Sequence, residues 1–189
     1  PKLNLGGSQE YNQKAVQLYE YYLRDFPNDP KVDQALFFLG YNYFELNKPE
    51  KGREFYADLT KRFPNSAYIE ESNFALGEYH FEREQWAEAL KYYSAVAKNK
   101  RARLYSFALY KTAWCLYKTG KVKEALTSLE RVIRTGRVAK GENDKSAVGS
   151  SRIKLASEAQ RDLVIFYAEV GSYETARAYF EEIAGGKAA

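Results

Sequence analysis

The chain has 189 residues, with 29 basic and 25 acidic side chains and a hydrophobic content of 45%, which suits one ordinary globular domain or one stretch of a repeat array. Its longest apolar run, residues 163–168, falls far short of the ~20 residues that cross a bilayer, so a spanning helix is excluded. The single Cys115 cannot close an internal disulfide and the single His80 has no second imidazole or thiolate near it in sequence, which disfavours zinc, haem and redox-pair chemistry and implies no cofactor.

The pattern of apolar residues predicts helices throughout, over residues 9–26, 30–46, 48–63, 66–83, 85–98, 102–118, 121–135, 151–170 and 172–184. Pro30 and Pro49 fall in first turns, while Gly120, Gly136, Gly171 and Gly185 fall just past helix ends. Residues 1–10 are expected to be a flexible segment and residues 185–189 a tail. Between the seventh and eighth helices, residues 136–150 carry Gly, Lys and Ser around Glu142, Asn143 and Asp144. They read as an exposed loop inserted into a single domain over residues 11–184.

A repeat organises these helices. Leu36, Leu39, Gly40 and Tyr43 are followed by Gly52, Tyr56 and Pro64; Asn73, Leu76, Gly77 and His80 by Ala89 and Tyr93; Leu109, Thr112, Ala113 and Leu116 by Ala125 and Leu129. A fourth copy runs Gln160, Leu163, Val164, Tyr167, then Ala176 and Phe180. In all four, 12 residues separate the two small or modest positions, from 40 to 52, 77 to 89, 113 to 125 and 164 to 176. Ala15, Tyr19 and Pro27 reproduce only the second half of the unit. Small side chains are what a close antiparallel crossing requires, with aromatics one turn later filling the space beside it.

This pattern resembles the tetratricopeptide repeat, a helix-turn-helix unit of about 34 residues. The resemblance covers residues 11–184 and implies an all-α solenoid of antiparallel helix pairs, about four and a half repeats and nine helices. Successive copies are offset by 37, 36 and 51 residues, so the turns between units are lengthened. The segments Asp25-Phe26-Pro27-Asn28-Asp29 and Arg62-Phe63-Pro64-Asn65-Ser66-Ala67-Tyr68 are similar to linkers of bacterial cell-envelope tetratricopeptide proteins, among them the Tol-Pal-associated coordinator, outer-membrane assembly lipoproteins and gliding-motility proteins. That likeness implies a bacterial envelope setting on the periplasmic side, with the cytoplasm as the alternative.

No P-loop, dinucleotide fingerprint, H-E-x-x-H or paired Cys motif is present. His80 stands where the repeat has an inward Tyr and reads as a core histidine, Cys115 reads as an inert buried thiol, and adjacent acids such as Glu70 and Glu71 point to different sides of a helix. The chain is therefore expected not to be an enzyme.

What remains is a second aromatic row. Phe37, Tyr41 and Phe44 follow the packing face by one residue, and the equivalent positions are Phe74, Glu78 and Phe81, then Tyr110, Trp114 and Tyr117. In the family these positions line the concave groove, so the resemblance implies a scaffold holding an extended or helical protein segment against eight aromatics and one acid. The alternative for the same rings is burial between neighbouring repeats. The Lys and Asn of the family's carboxylate clamp have no counterpart here. A different reading rests on charge: residues 96–154 hold 15 basic and 4 acidic groups, including Lys98, Lys100, Arg101, Arg103, Arg131, Arg134, Arg137 and Lys140. Such a block could attract nucleic acid or anionic lipid, although helices that each bury one face would scatter it. A missing first helix before Ala15 and a missing unit after Phe180 suggest repeat ends that self-associate.

Overall fold

The computed structural model describes residues 5–185, with side chains from Gln9 onward. Among them it forms nine α-helices and no strand: α1 (Leu5–Asp25), α2 (Val32–Glu45), α3 (Pro49–Arg62), α4 (Ile69–Glu82), α5 (Trp86–Ala97), α6 (Tyr105–Lys118), α7 (Val122–Gly141), α8 (Ala147–Val170) and α9 (Tyr173–Ala184). Where the repeat pattern suggested one continuous domain, the chain divides into two compact units, Pro1–Arg83 and Glu84–Ala189.

In the first unit each helix packs on the next, α1 on α2, α2 on α3 and α3 on α4. Val32, Leu36 and Leu59 form one buried cluster, and Val16, Leu39 and Tyr43 another; full burial of each such aliphatic side chain stabilises by roughly 1.5–3 kcal/mol. The crossing of α2 and α3 is close because Gly40 and Gly52 face it. A Cβ on Gly40 would stand 2.7 Å from the Tyr56 ring, and one on Gly52 only 2.4 Å from Phe44 and 2.9 Å from the Gly40 carbonyl oxygen. The half-repeat expected at the front is α1, which docks through Val16, through Tyr19 stacked 5.8 Å from Phe38, and through Glu20, which accepts from the Tyr43 hydroxyl at 2.5 Å. Helix α1 begins at Leu5, so residues 5–10 are helical where a flexible segment was expected; a Glu10–Lys14 ion pair at 2.6 Å lies one turn apart on it. Residues 1–4 of that segment, and 186–189 of the expected tail, lie outside the described residues.

The repeat offsets reappear in the backbone. Turn bonds run from Asp29 N to Phe26 O and Val32 N to Asp29 O, from Ser66 N to Phe63 O and Ile69 N to Ser66 O, and from Ala102 N to Asn99 O and Tyr105 N to Ala102 O. These positions are displaced by the same 37 and 36 residues that separate the sequence copies. Within the repeats, the turn between the two helices places Asn47, Glu84 and Gly120 in the left-handed region, at φ 56°, 56° and 77°. Asn and Gly tolerate that conformation, whereas Glu84 adopts it at a cost.

In the second unit α6 packs on α5, α7 and α8, and α7 runs along α8. The inserted loop is much shorter than expected. Helix α7 continues to Gly141 and α8 starts at Ala147, so most of residues 136–150 is helical. Gly136 does not end α7. It is buried at the crossing, where a Cβ would lie 2.3 Å from the Ala156 Cβ and 2.7 Å from the Arg152 carbonyl oxygen, so glycine serves close approach here and not a turn. The turn comes at Asn143 (φ 52°), Asp144 N returns to Ala139 O at 2.9 Å, and Ser146 Oγ caps α8 by accepting from Gly149 N at 3.0 Å. Helix α9 buries none of its residues; Tyr179 stacks on Tyr167 at 4.6 Å and donates to Glu130 at 2.7 Å, and Arg137 donates to the Ile183 carbonyl.

Candidate functional site

The nine positions of the aromatic row divide by helix. On α2, Phe37 stacks 4.7 Å from Tyr68 and tilts 5.8 Å from Tyr56, while Phe44 stacks 5.6 Å from Tyr56 and meets the Tyr79 edge at 6.4 Å. Both are half-buried, and Tyr41 between them is 48% exposed. The result is one projecting phenol on the same helix face as two fixed rings. On α4, Phe74, Glu78 and Phe81 are all half-buried.

On α6 the corresponding rings turn to α8. Asp162 Oδ2 accepts from the Tyr110 hydroxyl at 2.6 Å and from Trp114 Nε1 at 3.1 Å. Phe166, fully buried, lies flat against Tyr117 at 4.0 Å and edge-on to Trp114 at 5.2 Å, and the Tyr117 hydroxyl donates to Glu169. Burial, and then the Asp162 carboxylate, pushes the Tyr110 phenol up to about 12. Tyr110, Trp114 and Tyr117 are therefore half-buried braces between successive repeats as well as members of the row. Sequence reasoning passed over Asp162 and Glu169, although residues 162, 166 and 169 share one helix face at i, i+4 and i+7. At the equivalents of the groove positions in α8, Arg161, Ile165 and Ala168 are exposed.

All eight basic residues singled out are exposed. Lys100, Arg131 and Arg134 share one cleft, Arg137 and Lys140 line a second of about 340 Å³, and Lys98, Arg101 and Arg103 line neither. Cys115 is buried, and half-buried His80 lies edge-on to Tyr79 at 5.1 Å. Among the described residues no three His, Cys, Asp or Glu side chains converge on a metal position, and no helix is long and apolar enough to cross a membrane.

Residues 34–66 and residues 74–140 match two family models, each described as tetratricopeptide repeat. Among solved structures, the chain is similar to a crystal structure of nearly identical TPR-like repeats from a Podosopora anserina protein described as a kinesin light chain. The TM-score is 0.62 at 16% identity, over 95% of this chain and 86% of that one. No curated protein matches the sequence significantly. At that identity the structural likeness speaks for the fold.

Proposed function

Because the chain carries tetratricopeptide repeats, units that commonly mediate protein–protein interaction, we propose that it is a non-catalytic scaffold. In this reading it holds an apolar segment of a partner protein, extended or helical, against the aromatic face of α2. The observation that carries the reading is Tyr41, 48% exposed between Phe37 and Phe44. A ring left in water on the same helix face as two immobilised rings offers a partner apolar area with only two side-chain torsions to fix, which is how aromatic hot spots work. The reading centres on α2 because Tyr110, Trp114 and Tyr117 already spend their polar edges or ring faces on α8. Phe74, Glu78 and Phe81 supply the equivalent row on α4. The phenylalanine–proline linkers after α1 and α3 support a setting in the bacterial cell envelope, which fractionation of source cells would check.

The test uses immobilised chain, wild type against Tyr41→Ala, with Tyr11→Ala as an exposed control, since Tyr11 is 73% exposed. A partner retained from a source-cell extract is identified and its affinity measured with each purified variant. Tyr41→Ala should weaken binding by about 2 kcal/mol, roughly thirtyfold in Kd, with the unfolding midpoint unchanged. Equal affinity for wild type and Tyr41→Ala would overturn the reading.

A further inference from the structure

We propose that a cleft in the second unit is a binding site for a phosphate group carried as a monoester. The cleft, about 330 Å³, lies between the start of α6, the later turns of α7 and the beginning of α8. Lys100, Arg131, Arg134 and Arg152 line it, and no acidic side chain does. Tyr105 adds a hydroxyl, Thr135 lines the cleft with its hydroxyl donated to the Val132 carbonyl at 2.7 Å, and Val138, 53% exposed, adds an apolar wall.

Most of this lining falls in the lengthened connection between the third and fourth repeats. Helix α5 ends at Ala97, whose counterpart at the 36-residue offset is Ile133; α6 begins at Tyr105, whose counterpart at the 51-residue offset is Ala156. Arg134, Thr135, Val138 and Arg152 all fall between Ile133 and Ala156, where 22 residues stand in place of the 7 between Ala97 and Tyr105. The insertion thus extends two helices and, in doing so, brings cations together.

The cations are not held in close ion pairs within the chain, although Arg134 also lines a small pocket with Glu130 and Glu182. None of the four forms an ion pair with a carboxylate among the described residues. Arg131 donates to the Tyr105 hydroxyl at 2.8 Å, a neutral partner that leaves its charge uncompensated. Asp144 feels the charge of Arg152, but its Oδ1 accepts from Ser146 N at 3.0 Å. Arg152 Nε is buried and meets no acceptor. A charged donor withdrawn from water and left unsatisfied is costly, and four like charges around one cavity repel one another. Both costs are relieved by one anion.

The chemistry selects which anion. Three of the four cations are arginines, whose planar forks bind phosphate oxygens bidentately. A phosphate monoester brings three acceptor oxygens and a charge of roughly −1.5 to −2 near neutrality, where a single carboxylate brings two oxygens and one charge. Exposed Val138 provides a surface for the carbon end of the ester. The inference does not depend on the aromatic face of α2.

Calorimetric titration of the full chain in phosphate-free buffer at physiological salt tests it. The probes are O-phospho-L-serine, inorganic phosphate and acetate; the variants are Arg152→Gln, Arg134→Gln and, as a distant cation, Lys123→Gln. O-phospho-L-serine should bind saturably at one site, several-fold more tightly than inorganic phosphate, and acetate should not bind. Arg152→Gln and Arg134→Gln should each weaken the ester at least tenfold, Lys123→Gln should not, and affinity should rise as pH passes about 6, where the ester gains its second charge. Arg134 is exposed, so its variant keeps the test readable if loss of Arg152 disturbs the fold. Absence of saturable phosphate binding, or an equal loss in Lys123→Gln, would overturn the site; tighter binding of inorganic phosphate than of the ester would overturn the assignment to a monoester.

Discussion

Asp162→Ala probes how firmly the rings of α6 are committed to packing. One oxygen of Asp162 accepts two donors, the Tyr110 hydroxyl at 2.6 Å and Trp114 Nε1 at 3.1 Å. Hydrogen bonds to a charged group contribute about 1.5–3 kcal/mol each. Asp162 is only half-buried and both bonds share one oxygen, so the low end applies and the pair contributes about 3 kcal/mol. Relief of the carboxylate's own desolvation offsets about a third of this, leaving a net loss of about 2 kcal/mol. Urea unfolding followed by tryptophan fluorescence measures it. Asp162→Asn, which keeps an acceptor but not the charge, should lose about half as much. In a cycle with Tyr110→Phe the two changes should couple by about 1 kcal/mol. A loss below ~0.5 kcal/mol with no coupling would refute the bracing role and return the α6 rings to the partner-binding row.

Three further outcomes follow from local geometry. Glu84→Asn should stabilise the chain by about 0.5–1 kcal/mol in equilibrium unfolding, because Glu84 sits at φ 56° where Asn47 and Gly120 serve the other repeats. Gly136→Ala should destabilise by about 1–3 kcal/mol despite a helix-propensity gain of about 1 kcal/mol, since its Cβ would meet Ala156 and the Arg152 carbonyl; a more stable variant would mean the α7–α8 crossing relaxes freely. Burial and the Glu20 carboxylate push the Tyr43 phenol up to about 12, and Tyr110 is raised to about 12 as well. The fold therefore favours their protonated forms: this stability is fully present below pH 10 and is lost as pH climbs through about 12. Tyr43→Phe should flatten that alkaline fall in unfolding midpoint, and an unchanged slope would count against the buried Tyr43–Glu20 bond.

The helical repeat was readable because its physical demand is local and periodic. Two helices that cross closely need a small residue at each crossing, so Gly40 and Gly52 announce themselves 12 residues apart, and the turn bonds at Asp29, Ser66 and Ala102 recur at the 37- and 36-residue offsets of the copies. The same logic failed at Gly136. A glycine that ends a helix and one that lets two helices touch look alike in sequence, and only the position of Ala156, 20 residues on, distinguishes them. The aromatic row was legible as a row, but the partners of its rings were not. Tyr110 and Trp114 meet Asp162 across 52 and 48 residues, and the spacing within α6 carries no record of which α8 residue will lie opposite. The basic cleft was visible only as a surplus of charge. Which four of the fifteen cations converge depends on α7 and α8 extending through a stretch whose composition resembles a loop.

The most direct test compares Tyr41→Ala with Trp114→Ala in parallel unfolding and partner-binding measurements. Tyr41→Ala should unfold as wild type does, within ~0.5 kcal/mol, while its affinity for the identified partner falls about thirtyfold. Trp114→Ala removes a ring packed on Phe166 and tied to Asp162, and should lose about 2–3 kcal/mol of stability, below the range for a fully buried ring. A Tyr41→Ala chain that unfolds early, or one that keeps full affinity for its partner, would contradict a partner surface at Tyr41 and leave the aromatic richness as packing alone.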